Sequence, residues 1–396
     1  MRGPHAKGFV DPVGDYSDFV RYGSVVPGAG LWDEMDGVPP AVAIGLALSR
    51  GTGLVSLVRP LEQHTVERTH NWLVQREPEQ HLEDQADKVL SVLDNTCFSF
   101  FGASFKDKPF LDRVRQKSKK MVVSEVLRHD GVDIVSIQLN LSLSVEPVWQ
   151  QKDMPRVLVM RHILEHAYDA RSLLRSIKLF MGPDGYVFLE VPDSTSAFEN
   201  MDYSEIWDEH IHYFTPTSLR IFLNLAGFGV VYLSSLLSDG EEVICVLARL
   251  GSNVAQTGWI ESATVPEGKG IKFIQNLSKR RRSFKQNLTG LDVRKLFILG
   301  ANHRTSNFID AMLPRSVEAI IIDDDTRKQG LLLSSRAISI GSRDLLTGRG
   351  SEPLVVSLNE MRAEQAMSSL GAISDRGSEF TLLKDFANTL SSLSKP

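Results

Sequence analysis

Twice along this chain, short apolar runs ending in a polar or glycine-rich turn alternate with segments of helical periodicity, and few folds accept that alternation. Residues 96–101 form an apolar and aromatic run that stops at Gly102. Strand-like runs follow at 121–126, 132–137, 156–160 and 186–191, with helical spacing at 109–116 and 170–181 between them. Residues 219–226 read as a further helix, and 230–233 and 243–248 as the closing strands. Nearly continuous Val, Leu, Ile and Phe marks strands covered on both faces. The segment therefore reads as an α/β unit with a largely parallel sheet. A second α/β pattern starts at 295–299, ends its first strand at Gly300, and places a strand at 319–322 before Asp323-Asp324-Asp325.

The flanking segments read differently. Residues 1–70 are rich in Gly and Pro, with β-like runs at 41–48 and 53–58, and suggest a small irregular N-terminal module. A helical pattern runs from 77 to 93. Residues 251–270 are polar and turn-rich, and a helix carrying Lys279-Arg280-Arg281-Arg282 on a solvated face follows. The expected divisions are 1–70, 71–250, a linker and helix over 251–285, and 286–396. A length of 396 residues exceeds one ordinary core. The net charge of -5 gives no electrostatic reason to expect nucleic acid or an anionic membrane as partner. No apolar run approaches the roughly 20 residues a membrane helix needs, and the start shows no signal-peptide pattern. Cys97 and Cys245 lie in apolar runs and read as buried reduced thiols. These features suggest a cytoplasmic protein.

Three segments carry candidate chemistry. The turn Gly102-Ala-Ser104 follows a strand and precedes a helix, where a doubly wound sheet presents backbone N–H groups to a ligand. Glu125, near the end of the next strand, is placed to accept from ribose hydroxyls. The run 157–166 is a buried strand whose carboxyl end turns polar at Arg161, His162, Glu165 and His166. The spacing of His162 and His166 could present two metal ligands, but no third ligand has suitable spacing, so no metal is expected. Residues 203–214 pack acids, histidines and aromatics together. A histidine beside carboxylates can hold a pKa near neutrality and act as a general base.

The order of these pieces resembles the sugar C-methyltransferases. His162-Ile-Leu-Glu-His166, Gly182-Pro-Asp-Gly185, Leu189-Glu-Val-Pro-Asp193 and Asp208-Glu-His-Ile-His-Tyr-Phe-Thr215 are similar to that family's core, and Leu299-Gly-Ala-Asn302 with Ile322 to Gly330 is similar to its C-terminal domain. The resemblance implies a class I methyltransferase Rossmann-like sheet followed by a second, smaller Rossmann-like α/β domain. It implies S-adenosylmethionine as cofactor, contacted by Gly102, Ser104, Glu125, Arg161 and His162. It implies a nucleotide-linked keto-deoxysugar or related carbohydrate as substrate, faced by Gly300, Asn302, Asp323 and Lys328. His210 would remove the proton beside the keto group, Glu209 would orient it, and Tyr213 would hydrogen-bond the enolate. Ser49 and Thr52 stand where the family carries zinc-binding cysteines, so no zinc is expected. Phe105 and Pro109 stand in a loop that is glycine-rich in the family. These departures motivate the alternative of a catalytically inactive relative that binds a nucleotide-sugar or a protein partner.

Overall fold

The computed structural model describes residues 16–27, 31–62, 77–93, 98–118, 122–124, 156–181, 185–251, 269–358, 360–371, 381–386 and 389. Glu125, Cys97, the 132–137 run and most of the 182–185 turn and the 251–270 linker lie outside the described residues.

The central sheet has six described strands in the order β6 (Val122–Ser124), β5 (Ser99–Gly102), β7 (Arg156–Arg161), β8 (Tyr186–Pro192), β11 (Glu241–Leu250) and β10 (Phe228–Ser238), taken from the β6 edge. The first four are mutually parallel. This is a mixed α/β, Rossmann-like sheet. Alternation along β7 shows how both faces are covered. Val157 and Val159 pack with α1 (Leu82–Val92) and α2 (Lys108–Lys117), while Leu158 and Met160 pack with α3 (Ala170–Met181) and α5 (Pro216–Leu225). Apolar residues at 170, 173, 174, 177, 180 and 181 give α3 one continuous buried stripe. A short helix α4 (Thr195–Asn200) precedes the residues of the site. Helix α5 starts at a capping box between Thr215 and Ser218, with a proline in its first turn.

The sheet is largely parallel, as the sequence pattern suggests, with one described strand running the other way. Strand β11 runs antiparallel between β8 and β10. The cause is a tight hairpin at Asp239-Gly240, both at positive φ (50° and 80°), and an Asp-Gly pair between strands is the usual signal for that turn. A second difference concerns the N-terminal segment. Its strands β1 (Tyr16–Val25), β3 (Val42–Ser49) and β4 (Val55–Leu57) form an antiparallel sheet that is completed by β9 (His212–Tyr213). Strand β2 (Leu31–Trp32) instead joins the C-terminal sheet. The segment thus closes onto later parts of the chain, which local patterning does not reveal.

The C-terminal sheet orders β17 (Thr381–Leu382), β16 (Leu354–Val356), β12 (Lys295–Leu299), β13 (Glu318–Ile322), β15 (Ile338–Gly341), β14 (Leu332–Leu333) and β2. From β17 to β15 it is parallel. Helices α7 (His303–Asn307) and α8 (Glu360–Gly371) belong to this unit. Helix α6 (Lys269–Gly290) bridges the units, burying Phe273, Ile274 and Leu277 against the N-terminal sheet and Phe284 and Leu288 in the C-terminal core. Its basic run is only partly solvated: the Arg281 guanidinium lies 5.6 Å from the Tyr22 ring centre. The Tyr22 hydroxyl donates to the Tyr203 carbonyl at 2.7 Å across a buried contact. Tyr22→Phe removes that donor and is expected to cost about 1–3 kcal/mol in a urea denaturation measurement. An unchanged midpoint would mean that the N-terminal sheet does not dock on the 203–213 segment.

Candidate active site

The site is built where β5, β7 and β8 end. Beyond β5 the chain turns through Gly102, Ala103 and Ser104 into a single turn of 3-10 helix, Phe105–Asp107. The turn caps itself: the Ser104 N–H donates to Asp107 Oδ2 at 2.6 Å, and the Ser104 hydroxyl accepts from Lys106 N–H at 3.2 Å. The other carboxyl oxygen, Asp107 Oδ1, accepts the Arg161 N–H at 2.8 Å. Burial pushes the Asp107 carboxyl up to about 7, against the pull of those N–H groups.

The Arg161 side chain is 1% exposed and fully engaged. It donates twice to Glu190, at 2.8 and 2.9 Å, and to the carbonyls of Lys106 and Pro78. His162 has φ +50°, an unfavourable backbone conformation for a residue with a Cβ. Its N–H donates to the Glu190 carbonyl at 2.8 Å, and its Nε2 lies 2.9 Å from Glu190 Oε1. Burial alone would lower the His162 pKa, but Glu77, Glu165 and Glu190 raise it to about 10. His81 adds a further contact to Glu190 at 3.1 Å. Burial would raise the Glu190 pKa, yet Arg161, His162 and His81 hold it well below its usual value. The Lys106 ammonium spans the edge, donating to the His162 carbonyl at 3.2 Å and pairing with Glu77 at 2.7 Å.

The 203–213 segment is strapped against this edge. Ile211 N–H donates to the Glu165 carbonyl at 2.7 Å, and His166 Nδ1–H donates to the Glu209 carbonyl at 2.8 Å. The ring of His210 then sits 4.7 Å from that of His166, edge to face. Trp207 lies 4.6 Å from His210 and stacks on His303 of the C-terminal unit at 4.5 Å. An Arg304–Glu205 ion pair and a bond from the Asn307 amide to the Ile206 carbonyl fasten the same junction. His212 has a structural place: one ring nitrogen meets the Ser56 hydroxyl and the other the Ala167 carbonyl, both at 3.0 Å.

The sequence candidates fall out as follows. Gly102, Ser104, Arg161, His162, Glu209 and His210 gather at one edge. Tyr213 does not face it: its hydroxyl donates to the Trp207 carbonyl and accepts from the Trp207 N–H, both at 2.8 Å, so its one proton is already committed. Glu209 meets its neighbours through its carbonyl, which holds His166. His210 departs from a pKa near neutrality. Burial, followed by the positive charges of His162, Lys106 and Arg304, pushes it down to about 3. Gly300, Asn302, Asp323 and Lys328 do meet, beyond β12 and β13. Asp323 accepts from Ala301 N–H at 2.7 Å and from Lys328 Nζ at 2.9 Å, while the Asn302 amide donates to Ser357. Gly300 is required where it stands: its φ is +108°, and a Cβ would come 2.9 Å from the Ser357 carbonyl. Sequence reasoning missed Trp207 and His303, which become neighbours only when the two units dock. Ser49 and Thr52, at the cysteine-like positions, tie the β3–β4 turn through their hydroxyls. Cys245 is a buried free thiol. A cavity of about 200 Å³ lies elsewhere, between Thr52, Thr215 and Lys269, and is below the roughly 300–1,000 Å³ of ordinary ligand pockets. Among the described residues, no helix is long and apolar enough to cross a membrane.

Residues 124–233 match a family model described as a methyltransferase domain. The match takes in β7, β8 and the whole 203–213 segment. The chain is also similar to the C-methyltransferase NovU of Streptomyces niveus, with 22% identity over 249 residues, covering 59% of this chain. The aligned part spans 58% of NovU. Among solved structures, it is similar to a SAM-dependent methyltransferase from Aquifex aeolicus at 12% identity, covering 44% of this chain and 94% of that one with a TM-score of 0.26. Another from Archaeoglobus fulgidus aligns at 11% identity, over 43% and 94%, with a TM-score of 0.31.

The carboxyl edge of β5 and β7 is where a Rossmann-like sheet receives a nucleoside cofactor. The turn's donors are not free in this arrangement, because Asp107 takes the Ser104 and Arg161 N–H groups. Glu190→Gln tests the network that holds this edge. It leaves Arg161 without its buried counter-charge, and His162 with only Glu77 and Glu165, and is expected to cost about 3–5 kcal/mol at neutral pH. Because the folded-state pKa of Glu190 is depressed, its stabilisation is present above the usual 4.5 and is lost as the pH falls below it. The variant's acid limb should therefore be flatter than that of the parent in urea titrations. Parallel limbs would refute the assignment.

Proposed function

We propose that this protein is an S-adenosylmethionine-dependent C-methyltransferase acting on a nucleotide-linked keto-deoxysugar or related carbohydrate. The observation that carries this reading is the placement of His210. It stands beside the carboxyl edge of a Rossmann-like sheet and, through Trp207 and His303, against the start of helix α7, capped by Asn302. The match of residues 124–233 to a methyltransferase domain and the likeness to NovU, whose name makes it a C-methyltransferase, support it.

In this reading Gly102, Ser104, Glu125, Arg161 and His162 hold the cofactor, which supplies when bound a methyl group on a positively charged sulfur. Gly300, Asn302, Asp323 and Lys328 hold the nucleotide-sugar. His210 takes the proton from the carbon beside the keto group at its free ring nitrogen, and the C–H electron pair moves onto the carbonyl oxygen as an enolate. The Glu209 carbonyl fixes His166, and His166 in turn packs against the base. Exclusion of water by Trp207 and His303 keeps the charged intermediate from being reprotonated. The internal engagement of Asp107 and Lys106 favours the second reading, an inactive relative that binds a nucleotide-sugar or a protein partner.

Calorimetric titration with S-adenosylmethionine separates the two, and the absence of binding up to millimolar cofactor would sink the enzyme reading. His210→Ala should lower kcat by about 10²–10⁴-fold with cofactor affinity nearly intact. Retained turnover would remove it from its role. On this reading the cofactor's sulfonium would sit near this edge, and Lys106→Met, which removes a positive charge there and leaves Glu77 unpaired by it, should raise cofactor affinity several-fold. Weaker binding would show that Lys106 is part of the cofactor site and not a barrier to it.

A further inference from the structure

The contact between Glu165 and His166 has an electrostatic gap. The Glu165 side chain is 1% exposed, and neither carboxyl oxygen accepts a hydrogen bond. Its nearest nitrogens are His162 Nδ1 at 3.5 Å and His166 Nε2 at 3.8 Å. The state of His166 Nε2 follows from its other nitrogen. Nδ1 faces the Glu209 carbonyl at 2.8 Å, a carbonyl can only accept, and so Nδ1 carries the hydrogen. In the neutral ring Nε2 is then a bare lone pair. The charge of Glu165 is met on one side by His162, whose Nδ1 lies 3.5 Å from Oε1, but toward His166 the buried carboxyl oxygen and an imidazole lone pair confront each other with no proton between them. Protonating Nε2 would not mend this, because 3.8 Å is too long for a hydrogen bond. Such an arrangement is stable when a cation lies between the two. His210 completes the group: one ligand atom from each of Glu165, His166 and His210 lies within 4.8 Å of the other two.

We propose that Glu165, His166 and His210 form a binding site for a divalent transition-metal ion of the zinc class. Two imidazoles and one carboxylate are a donor set for zinc and its late first-row neighbours, whereas magnesium and calcium prefer oxygen. Around a tetrahedral ion, ligand atoms about 2.0–2.2 Å out lie about 3.3–3.6 Å apart, so side-chain rotations that close these atoms by about an ångström complete the site. The bond from His166 Nδ1–H to the Glu209 carbonyl is the outer contact that fixes a ligating tautomer. His166 and His210 are both partly exposed, which leaves a route for the ion and an open coordination position. Neutral imidazole has a single in-plane lone pair, so His210 can bind the ion or accept a proton, but not both. On the functional reading above, the metal-loaded protein is therefore the resting, base-blocked form.

The test reads binding without cofactor or substrate, so it stands or falls apart from the methyl-transfer reading. Chelator-treated full-length protein is titrated with Co²⁺ and followed by visible absorption, with Zn²⁺ competition. One tightly held equivalent, displaced by Zn²⁺, is expected. Glu165→Gln and His210→Ala should each weaken binding by at least about tenfold, with circular dichroism showing that both variants fold. His210, at the partly exposed end, keeps the test informative if the buried Glu165→Gln variant does not fold. Absence of Co²⁺ binding, or equal binding by folded variants, overturns the proposal. A strong near-ultraviolet thiolate-to-cobalt band also overturns it, because that places the ion on the other cluster of suitable side chains, His81, Glu190 and Cys245.

Discussion

The buried pair of Arg161 and Glu190 is the constraint around which this molecule is arranged. Both side chains are essentially inaccessible, and they join the carboxyl ends of adjacent parallel strands β7 and β8. A buried guanidinium is tolerated when its donors and its charge are satisfied together. Here the remaining donors reach the carbonyls of Pro78 and Lys106, and the remaining face of Glu190 is taken by His81 and His162. One ion pair thereby ties the segment before α1, the turn after β5 and the strained residue His162 to a single point. The positive φ of His162 is affordable because three groups hold the residue, and it swings the following turn so that Glu165 and His166 meet the 203–213 strap.

That strap turns a sheet edge into a junction between units. Its two bonds to that edge, from the Ile211 N–H to the Glu165 carbonyl and from the His166 side chain to the Glu209 carbonyl, run in opposite directions and fix the strap. Its outer side carries β9 into the N-terminal sheet and Trp207 onto His303. Tyr213 spends its hydroxyl on holding the Trp207 turn. The acids and aromatics that make this stretch conspicuous in the sequence thus serve mostly to seat one ring, His210, between two units.

Much of this was legible beforehand, because strands buried on both faces and helices with one apolar stripe have strong local signatures. The β7 and β8 runs, α3, and the polar clustering at Arg161, His162 and His210 all follow from pattern alone. What escaped is long-range. β2 and β9 pair with strands hundreds of residues or a whole unit away, and no local period encodes a partner. The antiparallel insertion of β11 did have a local signal in Asp239-Gly240. Carboxylates adjacent in sequence suggest a His210 pKa near neutrality, whereas burial and the positive charges of His162 and Lys106, only partly opposed by Glu77, push it down in the folded chain.

The departures in the turn after β5 share one physical origin. A glycine-rich loop leaves its N–H groups unsatisfied until a ligand arrives, which suits close approach but costs chain entropy. This chain uses Ser104, Phe105 and Pro109 instead, and a turn with that bulk must satisfy its own donors. Asp107 does so, reaching Ser104 on one side and Arg161 on the other, while Phe105 is left 55% exposed at the rim. Burial pushes the Asp107 carboxyl up to about 7, so its hold on those N–H groups weakens as the pH falls through neutrality and the carboxyl takes up a proton.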